Sequence, residues 1–276
     1  MHKLAEPLPA YDAQINSIRK QLNRGVFGSG WRGVAVALVL AVLVYATSKL
    51  YGSLNHGPYR FFLRTPLDQA MPVFTPFVIP YVSLEPVTYG TLVFFLLFRV
   101  RLYRSAAVSL IAAFLVAALF FFFAQTYVAR PTVAGSDLLA RMVRGVYASD
   151  NPYNDFPSLH VGVATILAIH WWRAGRTTGW VAAAWAVVVI ASTQLIHQHY
   201  LADIPGGLLL AFGVSRLALG YFVDGRGPSA HDDRVVKAGP RAGVAGGAGG
   251  GQPPSRRGPV AAHPPPAGTR GVSRGF

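Results

Sequence analysis

Two stretches of the chain carry no charged residue at all: residues 33–47 (GVAVALVLAVLVYAT) and residues 105–129 (SAAVSLIAAFLVAALFFFFAQTYVA). A helix needs about 20 mostly apolar residues to cross a hydrocarbon layer roughly 30 Å thick, and runs of this kind have no place on a soluble surface. Charged residues make up 13% of the sequence and hydrophobic ones 52%, against about a quarter charged in soluble domains. Lys and Arg number 25 and Asp and Glu 11, a formal net charge of +14. Such a charge fits either a nucleic-acid binder or a membrane protein with basic loops. The bunched apolar residues decide for the membrane, and no nucleic-acid partner is expected. With no cysteine, disulfides, thiolate nucleophiles and cysteine-ligated metals are excluded.

Hydropathy predicts an all-α, polytopic membrane protein with a six-helix transmembrane bundle, its spans near 33–52, 80–98, 105–126, 158–172, 178–197 and 200–222. The fourth is short, and needs either a thinned bilayer or a start inside a polar pocket. Residues 1–32 form a polar leader, too long ahead of the first apolar run for a signal peptide. Within it, residues 12–27 read as an interfacial amphipathic helix or as plain polar chain. Residues 223–276 are rich in Gly, Pro and Arg and are expected to be a disordered basic tail. Counting Lys and Arg over this topology places 18 on the face that holds both termini and 6 on the other, with Arg216 inside the last helix. The positive-inside rule then puts both termini in the cytoplasm of a multi-pass plasma-membrane protein.

Polar groups at the edge of a membrane mark function by default, and here they fall in two places. One is the loop from Arg130-Pro131 to His160; the other is the join of the last two helices, with Ser192, Thr193, His197, His199 and Asp203. Both lie on the extracytoplasmic side of that topology. Pro157 stops any preceding helix and Ser158 is a good N-cap for the next. The free N–H groups of such a first turn form an anion site, with His160 beside it. His199 and Asp203 stand four apart, a spacing that lets a carboxylate orient an imidazole. Pro205 places the start of the last helix near Asp203 or kinks it. A metal site from His160, His197, His199 and Asp203 ranks lower, because a His-x-His pair suits a strand and leaves Ser158 and the arginines without a role. No metal and no cofactor are expected.

At these residues the sequence resembles the type 2 phosphatidic acid phosphatase superfamily. Pro157-Ser158-Leu159-His160 matches its second motif; Ser192, His199 and Asp203 match its third; Arg130-Pro131 matches the end of its first. Phe123 stands where the first motif has lysine, and Thr193 where the third has arginine. The Phe-Pro-Ser-Leu-His form, the run His-Gln-His-Tyr-Leu-Ala-Asp and, more loosely, the segment from Thr65 are similar to the inositol phosphorylceramide synthase-like branch.

The resemblance implies phosphoryl transfer through a phosphohistidine. His199 would attack phosphorus, Asp203 orient it, and His160 serve as acid and then base. Arg130, Ser158, Ser192 and Thr193 would hold the phosphate, with Arg141 or Arg144 as further cations. The implied substrate is a lipid phosphate; water as acceptor makes a phosphatase, an alcohol makes a transferase. A catalytically silent lipid binder is the contrasting expectation. Glu85, an acid inside an apolar run, is expected to line the same cavity, and His170 with Trp171–Trp172 to form an aromatic belt.

Overall fold

The structure is a computed structural model that describes residues 25–225, with Asn16 alone before them. The leader helix expected at 12–27 and the tail beyond Gly225 therefore lie outside the described residues. Within them the chain forms nine α-helices and no strand. These are α1 (Gly30–Leu54), α2 (Pro66–Ala70), α3 (Val78–Val82), α4 (Leu84–Phe98), α5 (Val100–Phe123), α6 (Leu138–Ser149), α7 (Leu159–Ala174), α8 (Arg176–Leu195) and α9 (Asp203–Phe222). Five segments are long and apolar enough to cross a membrane: α1, Thr75–Phe98, α5, α8 and α9. This is the architecture of a multi-pass membrane protein.

The second of these segments is broken at Ser83, between Pro80 and Pro86. The Ser83 hydroxyl donates to the Pro80 carbonyl at 2.7 Å and accepts the Trp185 indole N–H at 3.0 Å, tying the break to α8. Helix α5 starts at Val100 and ends at Phe123 rather than spanning 105–126, so Gln125 and Thr126 are released to the loop that builds the site.

Helix α7 has 16 residues and sits at the centre, against α4, α5, α8 and α9. Its residues from Val161 to Leu167 are all buried, because neighbours cover every face. Its short length has a local reason. Ser158, fully buried, accepts a hydrogen bond from the Val161 N–H and caps the helix, so α7 begins inside protein, beneath a polar loop. His170 does not join an aromatic belt: it is fully buried, donates to the Ile166 carbonyl and accepts from Ser105 of α5 at 2.9 Å.

Helix α6 is absent from the expected spans. Asp137 caps it by accepting from the Ala140 N–H at 3.0 Å, and Leu139, Met142, Val143 and Val146 recur at helical spacing against Val78, Tyr81 and Ile196. It is amphipathic and too short to span.

At the contact of α7 with α9, a Cβ on Gly207 would lie 2.6 Å from the Ser158 carbonyl oxygen and 2.7 Å from the Val161 Cβ. Gly207→Ala is expected to cost about 1–3 kcal/mol through overpacking, read as a lower melting temperature in detergent. Gly213→Ala, with nothing within 4 Å, should be neutral or stabilising by up to about 1 kcal/mol, since Ala favours helix over Gly.

Candidate active site

The end of α8, the turn that follows it and the first turn of α9 carry the third motif. The turn is held from several directions. Phe74 N–H donates to the Leu195 carbonyl, Tyr147 OH to the Ile196 carbonyl, and Leu201 N–H to the Asp68 carboxylate at 2.9 Å. His197, in the left-handed region at φ 49°, points away to the Met71 carbonyl at 3.1 Å. Gln198 N–H and His199 N–H both donate to the Thr193 carbonyl. The Ser192 and Thr193 hydroxyls bond to the Val189 and Ile190 carbonyls of their own helix. These two residues shape the turn, and their hydroxyls are already engaged there.

His199 is buried; its Nδ1–H donates to the Asp155 backbone carbonyl at 3.0 Å, and two carboxylates flank it. Asp203 Oδ2 lies 3.6 Å away, and Asp155 Oδ1 is closer, at 2.8 Å. Asp155, at 1% exposure, is the residue that spacing did not reveal. It precedes Phe156-Pro157 by one position, and Thr126 fixes it there: the Thr126 Oγ1 accepts from the Asp155 N–H at 2.9 Å and the Phe156 N–H at 2.7 Å. Asp203 accepts the Tyr200 N–H at 2.7 Å and starts α9, with Pro205 in the first turn. Burial alone would depress the basicity of His199, but hydrogen bonds and charge from Asp155 and Asp203 outweigh it and push its pKa up to about 10.

The His160 ring lies 5.9 Å from that of His199 and stacks on Tyr81 at 4.1 Å. Since Val161 N–H goes to Ser158, the N–H groups of Leu159 and His160 have no intrahelical acceptor. Arg130 is also near the turn, donating to Gln198 Oε1 at 2.7 Å. Its other bonds go to the carbonyls of Tyr147, Asp150 and Asn151, and it lies over the Tyr147 ring at 5.1 Å. Asp150 is bound by the Tyr51 hydroxyl at 3.0 Å and by Asn55 Nδ2 at 2.6 Å. Burial raises its pKa, opposed by Arg130. Arg144 braces the Val133 and Gly135 carbonyls and Arg141 is exposed.

A cavity of about 440 Å³ opens from this cluster between α1, α4 and α7. Tyr81, Asp150, His160, Lys49 and Glu85 are among the polar residues that line it, and Phe114 and Val163 among the apolar ones. His199 is not among the lining residues; it stands behind His160.

Asp155, His199 and Asp203 hold ligand-type atoms within 4.8 Å of one another and are the donor set a metal would meet. The 2.8 Å separation of His199 Nδ1 from Asp155 Oδ1 is shorter than the roughly 3.4 Å between two ligands of one tetrahedral zinc, and the Nδ1–H is donated to the Asp155 backbone carbonyl.

An all-helical membrane bundle with a carboxylate-held histidine beside a second histidine defines the class. A family model, the PAP2 superfamily, matches residues 56–217. The chain belongs to that superfamily, the type 2 phosphatidic acid phosphatases, whose members are generally phosphatases or phosphotransferases. No curated protein and no solved structure matches it.

Arg130→Lys keeps the charge but loses the guanidinium fork. Because Arg130 clamps three loop carbonyls and Gln198, the change should cost about 2–3 kcal/mol of stability and lower the melting temperature without any ligand. An arginine that only met substrate would leave that temperature unchanged.

Proposed function

We propose that the protein is an integral membrane lipid phosphatase acting through a phosphohistidine on His199. The observation that carries this is the placing of His199 between Asp155 and Asp203, with His160 5.9 Å away at the head of a cavity suited to an amphiphile. With Nδ1–H donated to the Asp155 backbone carbonyl and flanked by the two carboxylates, Nε2 is the free nitrogen. Its lone pair forms the N–P bond as the P–O bond to the lipid alcohol breaks, and His160 gives the leaving oxygen a proton. His160 then takes a proton from water, the water oxygen attacks phosphorus, and the electron pair of the N–P bond returns to His199. Arg130 and the first-turn N–H groups of α7, capped by Ser158, hold the equatorial oxygens. Ser192 and Thr193 support the same site through the turn.

Topology follows the charge count. Helix α7 serves as the sixth crossing, both termini are cytoplasmic and the site opens on the extracytoplasmic face, matching 18 basic residues against 6. A second reading, transfer of the phospho-group to an alcohol, is favoured by the polar groups Ser48, Glu85, Thr88 and Tyr89 on the cavity wall, which suit a polyol acceptor. Purified protein given labelled lipid phosphate with and without a polyol separates the two. Free phosphate as sole product in both supports the phosphatase; a labelled polyol phosphate supports the transferase. Unchanged turnover in His199→Ala would overturn both.

The charged state of His199 sets the pH dependence. A pKa raised to about 10 leaves only a minor fraction with a free Nε2 at neutral pH. Titration of the His199 ring, followed by NMR in detergent, is expected to show its midpoint near pH 10. Asp155→Asn removes a charge that raises the pKa, so that midpoint should move to lower pH. A midpoint that stays in place or moves upward contradicts the role given to Asp155.

A further inference from the structure

Lys49 is the one lysine among the described residues. It sits in α1, five residues before the helix ends at Leu54, about 7–8 Å along the axis from that end. Glu85 is in the first turn of α4, which begins where α1 ends, at the same end of the bundle as the first turn of α7. Lys49, Glu85 and His160 all line one cavity. Among the described residues neither Lys49 nor Glu85 makes an ion pair within 4.0 Å. The Lys49 ammonium rests 4.9 Å from the Tyr45 ring, and among the described residues the Glu85 carboxylate makes no hydrogen bond. The other acid on the wall, Asp150, is already taken by Tyr51, Asn55 and Arg130.

A charge on a membrane-spanning helix is costly without a partner, and such groups face a bundle interior or a cavity where they find one. Here one cation and one anion flank a single cavity, unpaired, beside the histidine that contacts the leaving oxygen in the proposed reaction. The complementary ligand carries an anion for Lys49 and a hydrogen-bond donor for Glu85, with an apolar tail for lining side chains such as Phe114 and Val163.

We propose that Lys49 binds the phosphate of the substrate and Glu85 binds a hydroxyl or ammonium group next to it, so that the enzyme selects amphiphiles whose phosphate has a neighbouring donor. This rests on the function proposed above. Lys49 acts in binding, from a helix outside the elements that carry His160 and His199.

Two single-chain phosphomonoesters test it in detergent micelles with the full-length protein: lysophosphatidic acid, with a hydroxyl next to the phosphate, and octadecyl phosphate, with none. Lys49→Met should raise KM for both by roughly 10- to 100-fold, the size of a lost charge-assisted hydrogen bond, with kcat within several-fold. Lys49→Arg should recover most of the loss. Glu85→Gln should weaken lysophosphatidic acid alone. His199→Ala should abolish kcat for both while leaving calorimetric binding intact, which separates the two claims. A Lys49→Met enzyme within about twofold of wild type, beside an inactive His199→Ala, overturns the role of Lys49 and leaves the function standing. An active His199→Ala overturns the function. Equal effects of Glu85→Gln on both lipids, or none, overturn the selectivity. If wild type turns over neither probe, calorimetric binding decides: no binding, or equal binding by Lys49→Met, overturns the proposal.

Discussion

Everything at the extracytoplasmic end of this bundle, in the proposed topology, is arranged around one imidazole placed against two buried carboxylates. Either acid alone would orient His199; together they leave more negative charge in a buried space than one imidazolium can balance. Such a cluster persists only if the surrounding backbone holds it. Thr126 fixes Asp155 through two N–H groups, Tyr200 N–H binds Asp203, and Asp68, Tyr147 and the Gln198–Arg130 bond hold the turn between them. Arg130 is part of that framework first: most of its donors go to loop carbonyls.

The membrane supplies the other constraint. Inside a bilayer the backbone must satisfy itself, so irregular chain survives only where protein surrounds it. The irregular chain on either side of α6, residues 124–137 and 150–158, is tied by side-chain bonds to the end of α1. Asn55, Gln125 and Asn154 bond across it at 2.6–3.1 Å. Helix α7 is capped by the buried Ser158 and lies at the centre of the bundle, so the cavity it lines has both polar and apolar walls.

Much of the fold was legible because hydrocarbon thickness forces long apolar runs, and α1, α8 and α9 fall within a few residues of where hydropathy puts them. Helix α6 was not legible in the same way, since its signal is period rather than run length: Asp137 as cap and apolar residues at Leu139, Met142, Val143 and Val146. In the site, His199 and Asp203 were readable from their spacing of four, and the Ser158 cap from the Pro-Ser pair before an apolar run. Asp155 was not, because its contact with His199 spans 44 residues and has no spacing signature. Nothing local in the sequence says that Lys49 lines the same cavity as His160.

A covalent bond between phosphorus and His199 Nε2 is the central claim of the proposed mechanism. Rapid quenching of the enzyme with labelled lipid phosphate, followed by peptide mapping by mass spectrometry, tests it. The predicted result is an acid-labile, alkali-stable phosphoryl group on the peptide containing His199, lost in His199→Ala. A label on any other residue, or one that survives that substitution, would contradict the central role given to His199.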